Sequence, residues 1–270
     1  MKLALFDLDH TLLNTDSDHS WGEFLVNEGL VDPVRHRAMN DQFYEDYKAG
    51  QLDPIAYNEF VFEFLTQHDN DYLTELHQLF MKKVIRAQMR PKGFAAIQKH
   101  KDLGHALVGI TATSDFITAP IFREFGITEI IATNAEVKNG QYTGKVTNIP
   151  CYQKGKLARL DQWLEGRDVT ESWAYSDSIN DRFLLEYADH AIAVNPDDRL
   201  EVLAKEQDSS EEAIQNFIEN HQLDADTFLT KAEFWTDAQR QFLDEKLSSD
   251  GEWATIVDQL NESLHEDSVK

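Results

Sequence analysis

The chain has 270 residues, 41% of them hydrophobic and 11% aromatic, which is ample for a sizeable core in about two domains and too much for global disorder. Its 49 acidic and 25 basic side chains leave a formal charge of -24, a field that repels nucleic acid and anionic membrane surfaces. One cysteine, Cys151, forms no disulfide within the chain, Asp7 and Asp9 interrupt the N-terminal apolar run before a signal core is reached, and no run approaches about 18 apolar residues. The expectation is a cytoplasmic protein with neither nucleic-acid nor membrane partners.

Residues 2–8 read as a buried strand that ends in acid. From 15 to 91 the apolar residues take helical spacing (Trp21, Phe24, Leu25; Phe60, Phe64; Leu73, Leu76, Phe80), so this segment reads as an all-helical insertion after the first strand. Trp21, Phe24, Phe60 and Phe64 are assigned to its core. Lys82, Arg86 and Arg90 recur every four residues, either as a basic stripe that steers an anion or as cations at a helix end. Short apolar runs at 106–112, 130–133, 173–176 and 191–194 alternate with helix-like stretches such as 118–125 and 156–164, the pattern of a parallel sheet with helices on both faces. A hairpin centred on Lys138-Asn139-Gly140-Gln141 is expected to decorate the sheet edge. Residues 201–270 hold 18 acidic and 5 basic side chains but keep helical spacing, with Ser209 and Glu212 as a capping box, so an acidic helical C-terminal extension is expected.

Four clusters carry chemistry. Asp7-Leu8-Asp9-His10-Thr11 places two carboxylates where the first strand ends, at the side of an open sheet where ligands bind. Two such neighbours repel unless a cation neutralises them, and oxygen donors suit a hard metal. Read alone, the pair fits a polar turn with capping acids equally well. Ser176-Asp177-Ser178-Ile179-Asn180-Asp181 sets two more acids four apart at another strand end, again open to a capping interpretation. The hydroxyl-rich turn around Thr111-Ala112-Thr113-Ser114 suits phosphate oxygens, or is ordinary turn chemistry. Lys154-Gly155-Lys156 opens a helix against its dipole, which points to a bound anion or to two solvated lysines.

Together and in this order, the clusters match the four motifs of the haloacid dehalogenase superfamily. Over roughly residues 1–200 the chain resembles its phosphoserine phosphatase branch, subfamily IB, whose helical type-1 cap follows the first motif. The resemblance implies a Rossmann-like core at 1–14 and 92–200, the cap at 15–91 and the extension at 201–270. It implies that Asp7 is the nucleophile, Asp9 the general acid and base, and that Thr111 and Lys156 hold the phosphoryl group. Lys154 competes for the lysine role; the local Gly-Lys-Leu pattern favours Lys156. Mg2+ would be held by Asp7, the Asp9 backbone carbonyl and Asp177, with Asp181 in support. Asp16 matches the cap carboxylate that binds a substrate amine, or is an ordinary helix-start acid, and His10 either contacts the leaving group or is a helix-start histidine. The implied reaction is hydrolysis of a small phosphomonoester, phosphoserine or histidinol phosphate first. The alternatives are phosphotransfer on the same core, and a binding or regulatory role for the acidic C-terminal helices.

Overall fold

The computed structural model describes residues 1–205, and the chain divides into a unit Met1–Leu200 and a unit Glu201–Lys270. The acidic helices expected beyond 205, with Ser209 and Glu212, lie outside the described residues. Five parallel strands form the central sheet in the order β3 (Glu129–Thr133), β2 (Ala106–Ser114), β1 (Lys2–Phe6), β6 (Glu171–Ser176), β7 (His190–Ala193). Strand β1 is central, and its Leu3, Ala4, Leu5 and Phe6 are all buried, as a strand covered on both faces requires. The chain leaves β1 towards β2 on one side, and β6 fills the other. The carboxyl end of β1 is therefore the point where the strand order reverses, the crevice where open α/β sheets bind ligands.

Helices α5 (Pro91–Asp102), α6 (Asp115–Glu124), α7 (Lys154–Leu164) and α8 (Arg182–Tyr187) flank the sheet. Close packing fixes one residue type at the sheet surface: a Cβ on Gly109 would stand 2.6 Å from the Phe122 ring of α6. Between α5 and the sheet, His100 Nδ1 faces His105 Nδ1 at 2.8 Å while its Nε2 meets the Tyr175 hydroxyl at 2.9 Å. Burial, with His105 and Lys99 nearby, lowers His100 from its ordinary 6.5 to about 4. Between those two values the unfolded chain binds more protons than the folded one, so stability falls as the pH is lowered from 6.5 to 4. His100→Gln should flatten that acid limb of a melting-temperature profile; an unchanged slope would remove His100 as its source.

The insertion after β1 is all-helical: α1 (Ser17–Asn27), α2 (Pro33–Lys48), α3 (Pro54–Leu65) and α4 (Asn70–Phe80). Each starts on an aspartate cap, Asp16, Asp32, Asp53 and Asp69, and α2 and α3 add proline at the first turn. Trp21, Phe24, Phe60 and Phe64 lie in the apolar core, where Trp21 sits edge-on to Phe80 at 5.2 Å. Helix α4 loosens into a π-turn at Met81–Ile85 and a 3-10 turn at Arg86–Gln88. The change of period breaks up the basic stripe: Arg86 pairs with Glu124 at 2.7 Å, and Arg90 Nε donates to the Leu13 carbonyl at 2.8 Å. The segment returns beside the point where it left, because Asn14 N–H donates to the Gln88 carbonyl (2.8 Å) and Arg90 N–H to the Leu12 carbonyl (2.9 Å).

The hairpin of β4 (Ala135–Lys138) and β5 (Gln141–Val146) turns at Asn139 and Gly140, both with positive φ. It follows the edge strand β3 directly without pairing with it. It forms a two-stranded sheet of its own, and β5 packs on α3 of the insertion, which gives its half-buried face apolar cover. Among the described residues, no helix is long and apolar enough to cross a membrane.

Candidate active site

Three strand ends converge at the reversal point. Asp7 follows β1 directly, and its N–H donates to the Tyr175 carbonyl, so the strand hydrogen bonding fixes the residue that carries the carboxylate. His10 then takes a left-handed φ of 55°, a strained turn for a side-chain-bearing residue, and folds Asp9 back over the same crevice. Strand β2 contributes Thr111 and Thr113, and the end of β6 contributes Asp177 and Asp181.

Lys156 reaches this point from the start of α7 and is 2% exposed. Its ammonium donates to Asp7 Oδ1 at 2.8 Å and to Asp181 Oδ2 at 2.6 Å. Ser176 Oγ donates to the same Asp181 oxygen at 2.7 Å. Burial alone would lower Lys156, but Asp181 and Asp7 outweigh it and keep the amine firmly charged. Lys154, by contrast, is exposed and lies over the Phe183 ring at 5.1 Å, away from Asp7. The loop that delivers Lys156 is tight: Gln153 has φ 49°, and a Cβ on Gly155 would stand 2.1 Å from the Pro150 carbonyl oxygen. Cys151 beside it is buried, and desolvation pushes its thiol up to about 12, so it is inert as a nucleophile.

The acids differ in their surroundings. Burial raises Asp7, Lys156 draws it back, and it rests at about 6. Burial also raises Asp9, but its charged neighbours are Asp16 and Asp7, so it is held well above the usual carboxylate range. Its two oxygens accept from Ser17 N–H at 2.6 Å and from Thr113 Oγ1 at 3.0 Å. Asp177 accepts from Thr11 Oγ1 at 3.1 Å, and burial with repulsion from Asp7 and Asp181 raises it to about 8. Thr111 Oγ1 accepts from Thr113 N–H at 3.2 Å, which leaves its own proton free to donate. Asp16 stands on the insertion side, its Oδ1 capping α1 through Asp18 N–H (2.9 Å) and His19 N–H (2.7 Å).

Asp7, Asp9, Thr111, Lys156, Asp177 and Asp181 therefore gather at one end of the sheet, with Asp16 beside Asp9 on the side of the insertion, while Lys154 stands apart. Thr113, read in the sequence only as part of a hydroxyl-rich turn suited to phosphate, instead braces Asp9. Sequence reasoning gave no role to Asn180, whose Nδ2 donates to the Tyr47 carbonyl at 3.1 Å, or to Arg199, whose Nη2 donates to the Lys48 carbonyl at 2.8 Å. These bonds latch the end of α2 onto the core. The cleft beneath, bordered by Asp7, Asp9, Asp16, Asp18, Tyr47 and Tyr57, has a cavity of only about 40 Å³. That is room for about three waters. A larger cleft of about 830 Å³ between α4 and α6 contains none of these site residues.

Comparison with known proteins decides the family. A model of the haloacid dehalogenase-like hydrolases matches residues 4–186. The chain belongs to that family. This hydrolase is 41% identical over 211 residues to a histidinol-phosphatase of Neisseria meningitidis serogroup C (strain 8013), an alignment that covers 76% of this chain and 95% of that protein. It is 40% identical to a protein of unknown function from Bordetella pertussis Tohama I, whose crystal structure it matches with a TM-score of 0.72 over 76% of this chain and 95% of that one. A substrate-bound phosphoserine phosphatase shares the fold, with a TM-score of 0.51 at 18% identity over 71% of this chain and 85% of that one. With such relatives, the hydrolase is an enzyme of the phosphatase type. A second model, for a protein of unknown function (DUF2789), matches residues 207–264.

Proposed function

We propose that this hydrolase cleaves a small phosphomonoester through a phospho-aspartyl intermediate on Asp7. The observation that carries the reading is the split between two neighbouring carboxyls: Lys156 donates to Asp7 and draws it back to about 6, while Asp9 has only Asp16 and Asp7 as charged neighbours and is held well above the usual carboxylate range. Paired groups driven apart in this way divide the labour of nucleophile and acid. An Asp7 oxygen attacks phosphorus, the bond from phosphorus to the leaving oxygen breaks, and the Asp9 proton passes to that oxygen. In the second half, Asp9 accepts a proton from water as the water oxygen attacks phosphorus, which frees phosphate and restores Asp7. Thr111 and Lys156 hold the phosphoryl oxygens as charge shifts among them.

The donor set fits Mg2+. Asp7 and Asp181 share one ammonium, and burial, with repulsion among these acids, raises both Asp7 and Asp177. Among the described residues no three acidic, His or Cys side chains gather into a cage. Mg2+ needs none, since it takes one or two carboxylates and fills its shell with water and phosphate oxygens. Asp7, the Asp9 backbone carbonyl and Asp177 would hold it; Asp181 is spent on Lys156 and supports from behind. When bound, the ion would supply Lewis-acid neutralisation of the phosphate dianion that Asp7 must approach.

Histidinol phosphate leads the substrate list on the strength of the Neisseria relative, with phosphoserine next. The 40 Å³ cavity is too small for either, so entry requires the latch at Asn180 and Arg199 to open. The test is phosphate release from histidinol phosphate, phosphoserine, a sugar phosphate and p-nitrophenyl phosphate, with Mg2+ or with EDTA. Turnover that EDTA abolishes and that is fastest on histidinol phosphate is the expected result. Release from none of the esters overturns the reading, and release indifferent to EDTA overturns its metal.

A further inference from the structure

Asp18 is an anomaly that the reaction above leaves unexplained. It lies in the first turn of α1, is 3% exposed, and neither carboxylate oxygen has a hydrogen-bond partner among the described residues. The favourable field of a helix start is worth at most about 1–2 kcal/mol. Enclosing an unpaired carboxylate costs several. A first-turn acid that served only the helix would face water. Asp18 instead borders the catalytic cleft, behind Asp16 and Asp9.

The surroundings state what is missing. Burial, with Asp16 beside it, pushes Asp18 up to about 8; the Tyr57 hydroxyl pulls the other way without closing a hydrogen bond that meets normal geometry. No lysine or arginine is among the residues that border this cleft, and His19 turns its Nε2 onto Asp41 at 3.1 Å. Asp16 has already committed one oxygen to capping α1. Phe43, Tyr44 and Tyr57 line the same wall, with the Phe43 and Tyr57 rings 5.1 Å apart. A cleft with an uncommitted buried carboxylate, a half-committed one and aromatic faces suits a flat, basic nitrogen group.

We propose that Asp18 is a specificity-determining residue which binds a second basic nitrogen of the substrate, so that the cap selects phosphomonoesters bearing both an amine and a nitrogen heterocycle over those bearing an amine alone. Asp16 takes the amine, Asp18 the ring nitrogen, and the tyrosines the ring faces. The assignment rests on the phosphomonoesterase reading above and adds to it a partner for the orphaned carboxylate.

The test compares kcat/KM for histidinol phosphate, for 2-aminoethyl phosphate and for p-nitrophenyl phosphate in the native enzyme and in Asp18→Asn, together with the melting temperature of each protein free of substrate. The native enzyme should prefer histidinol phosphate to 2-aminoethyl phosphate, and the variant should lose that preference by about 10²-fold. Because asparagine replaces a buried acid that has no partner at constant shape, the free variant should melt no lower than the native enzyme. A preference ratio unchanged by Asp18→Asn overturns the assignment while native turnover of p-nitrophenyl phosphate keeps the phosphatase reading intact. A variant that melts lower or does not fold also overturns it, since Asp18 would then be structural. A native enzyme that hydrolyses none of the three esters overturns both.

Discussion

Asp7→Asn should abolish phosphate release, with kcat down by at least about 10³-fold on every ester. Asparagine keeps the shape of the side chain and can still accept from Lys156, so the geometry around the ammonium survives. What it cannot do is attack phosphorus. The fold should not suffer, because Asp7 is a desolvated acid held at about 6 in the company of Asp181. Removing one negative charge from that group relieves repulsion, and thermal unfolding without metal should begin no earlier than in the native chain. Activity within tenfold of native would place the nucleophile elsewhere and sink the mechanism.

Lys156→Met should injure both activity and fold. Methionine matches the length of the lysine stem but leaves Asp7 and Asp181 facing each other with no cation between them. Breaking a buried ion group by removing one partner costs about 3–5 kcal/mol. For a protein of this size that is a fall of roughly 10 °C in melting temperature. The sign with pH is opposite to that of His100. Without Lys156, Asp7 loses the cation that draws it down, burial holds it further above its unfolded value, the folded state binds more protons, and stability falls as pH rises. The defect should therefore shrink at pH 5 and deepen at pH 8, and adding Asp181→Asn should restore part of it. A melting temperature within 2 °C of native at neutral pH would show that Lys156 does not bind the acids together. Turnover should fall by at least about 10²-fold in the same variant, since the phosphoryl oxygens lose their fixed cation.

Much of this was legible in the sequence, for identifiable reasons. Acids placed immediately after apolar runs are visible because a parallel sheet ends its strands at one edge, so Asp7, Thr111 and Asp177 needed only the alternation of elements to be brought together. The aromatic positions of the insertion declared themselves through helical spacing, and its four aspartate caps are ordinary helix starts. The Gly-Lys-Leu pattern favoured Lys156 over Lys154 without giving a physical reason, because a helix start gives no hint of which residue turns inward; burial separates the two. Contacts between distant elements left no trace. The bond from Asn180 to the Tyr47 carbonyl joins a motif loop to a backbone atom, whose presence no side chain announces. The hairpin was recognised from Lys138-Asn139-Gly140-Gln141, but its cover by α3 was not, because turn chemistry fixes a hairpin and says nothing of what covers it. Asp18 looked like any acid near a helix start until its lack of partners could be seen.

The meeting of Asn14 with Gln88 has a further consequence. A segment whose two ends are already joined adds little strain to whatever carries it, since the entropic cost of closing the loop grows only slowly with its length. Helices α1 to α4 can therefore be lengthened, reshaped or exchanged for another bundle at that joint without disturbing the register of β1 with its neighbours. Heredity can then vary the inserted bundle and the sheet that carries it as separate possessions. Grafting a foreign bundle between Asn14 and Gln88 would leave the strand order of the sheet unchanged.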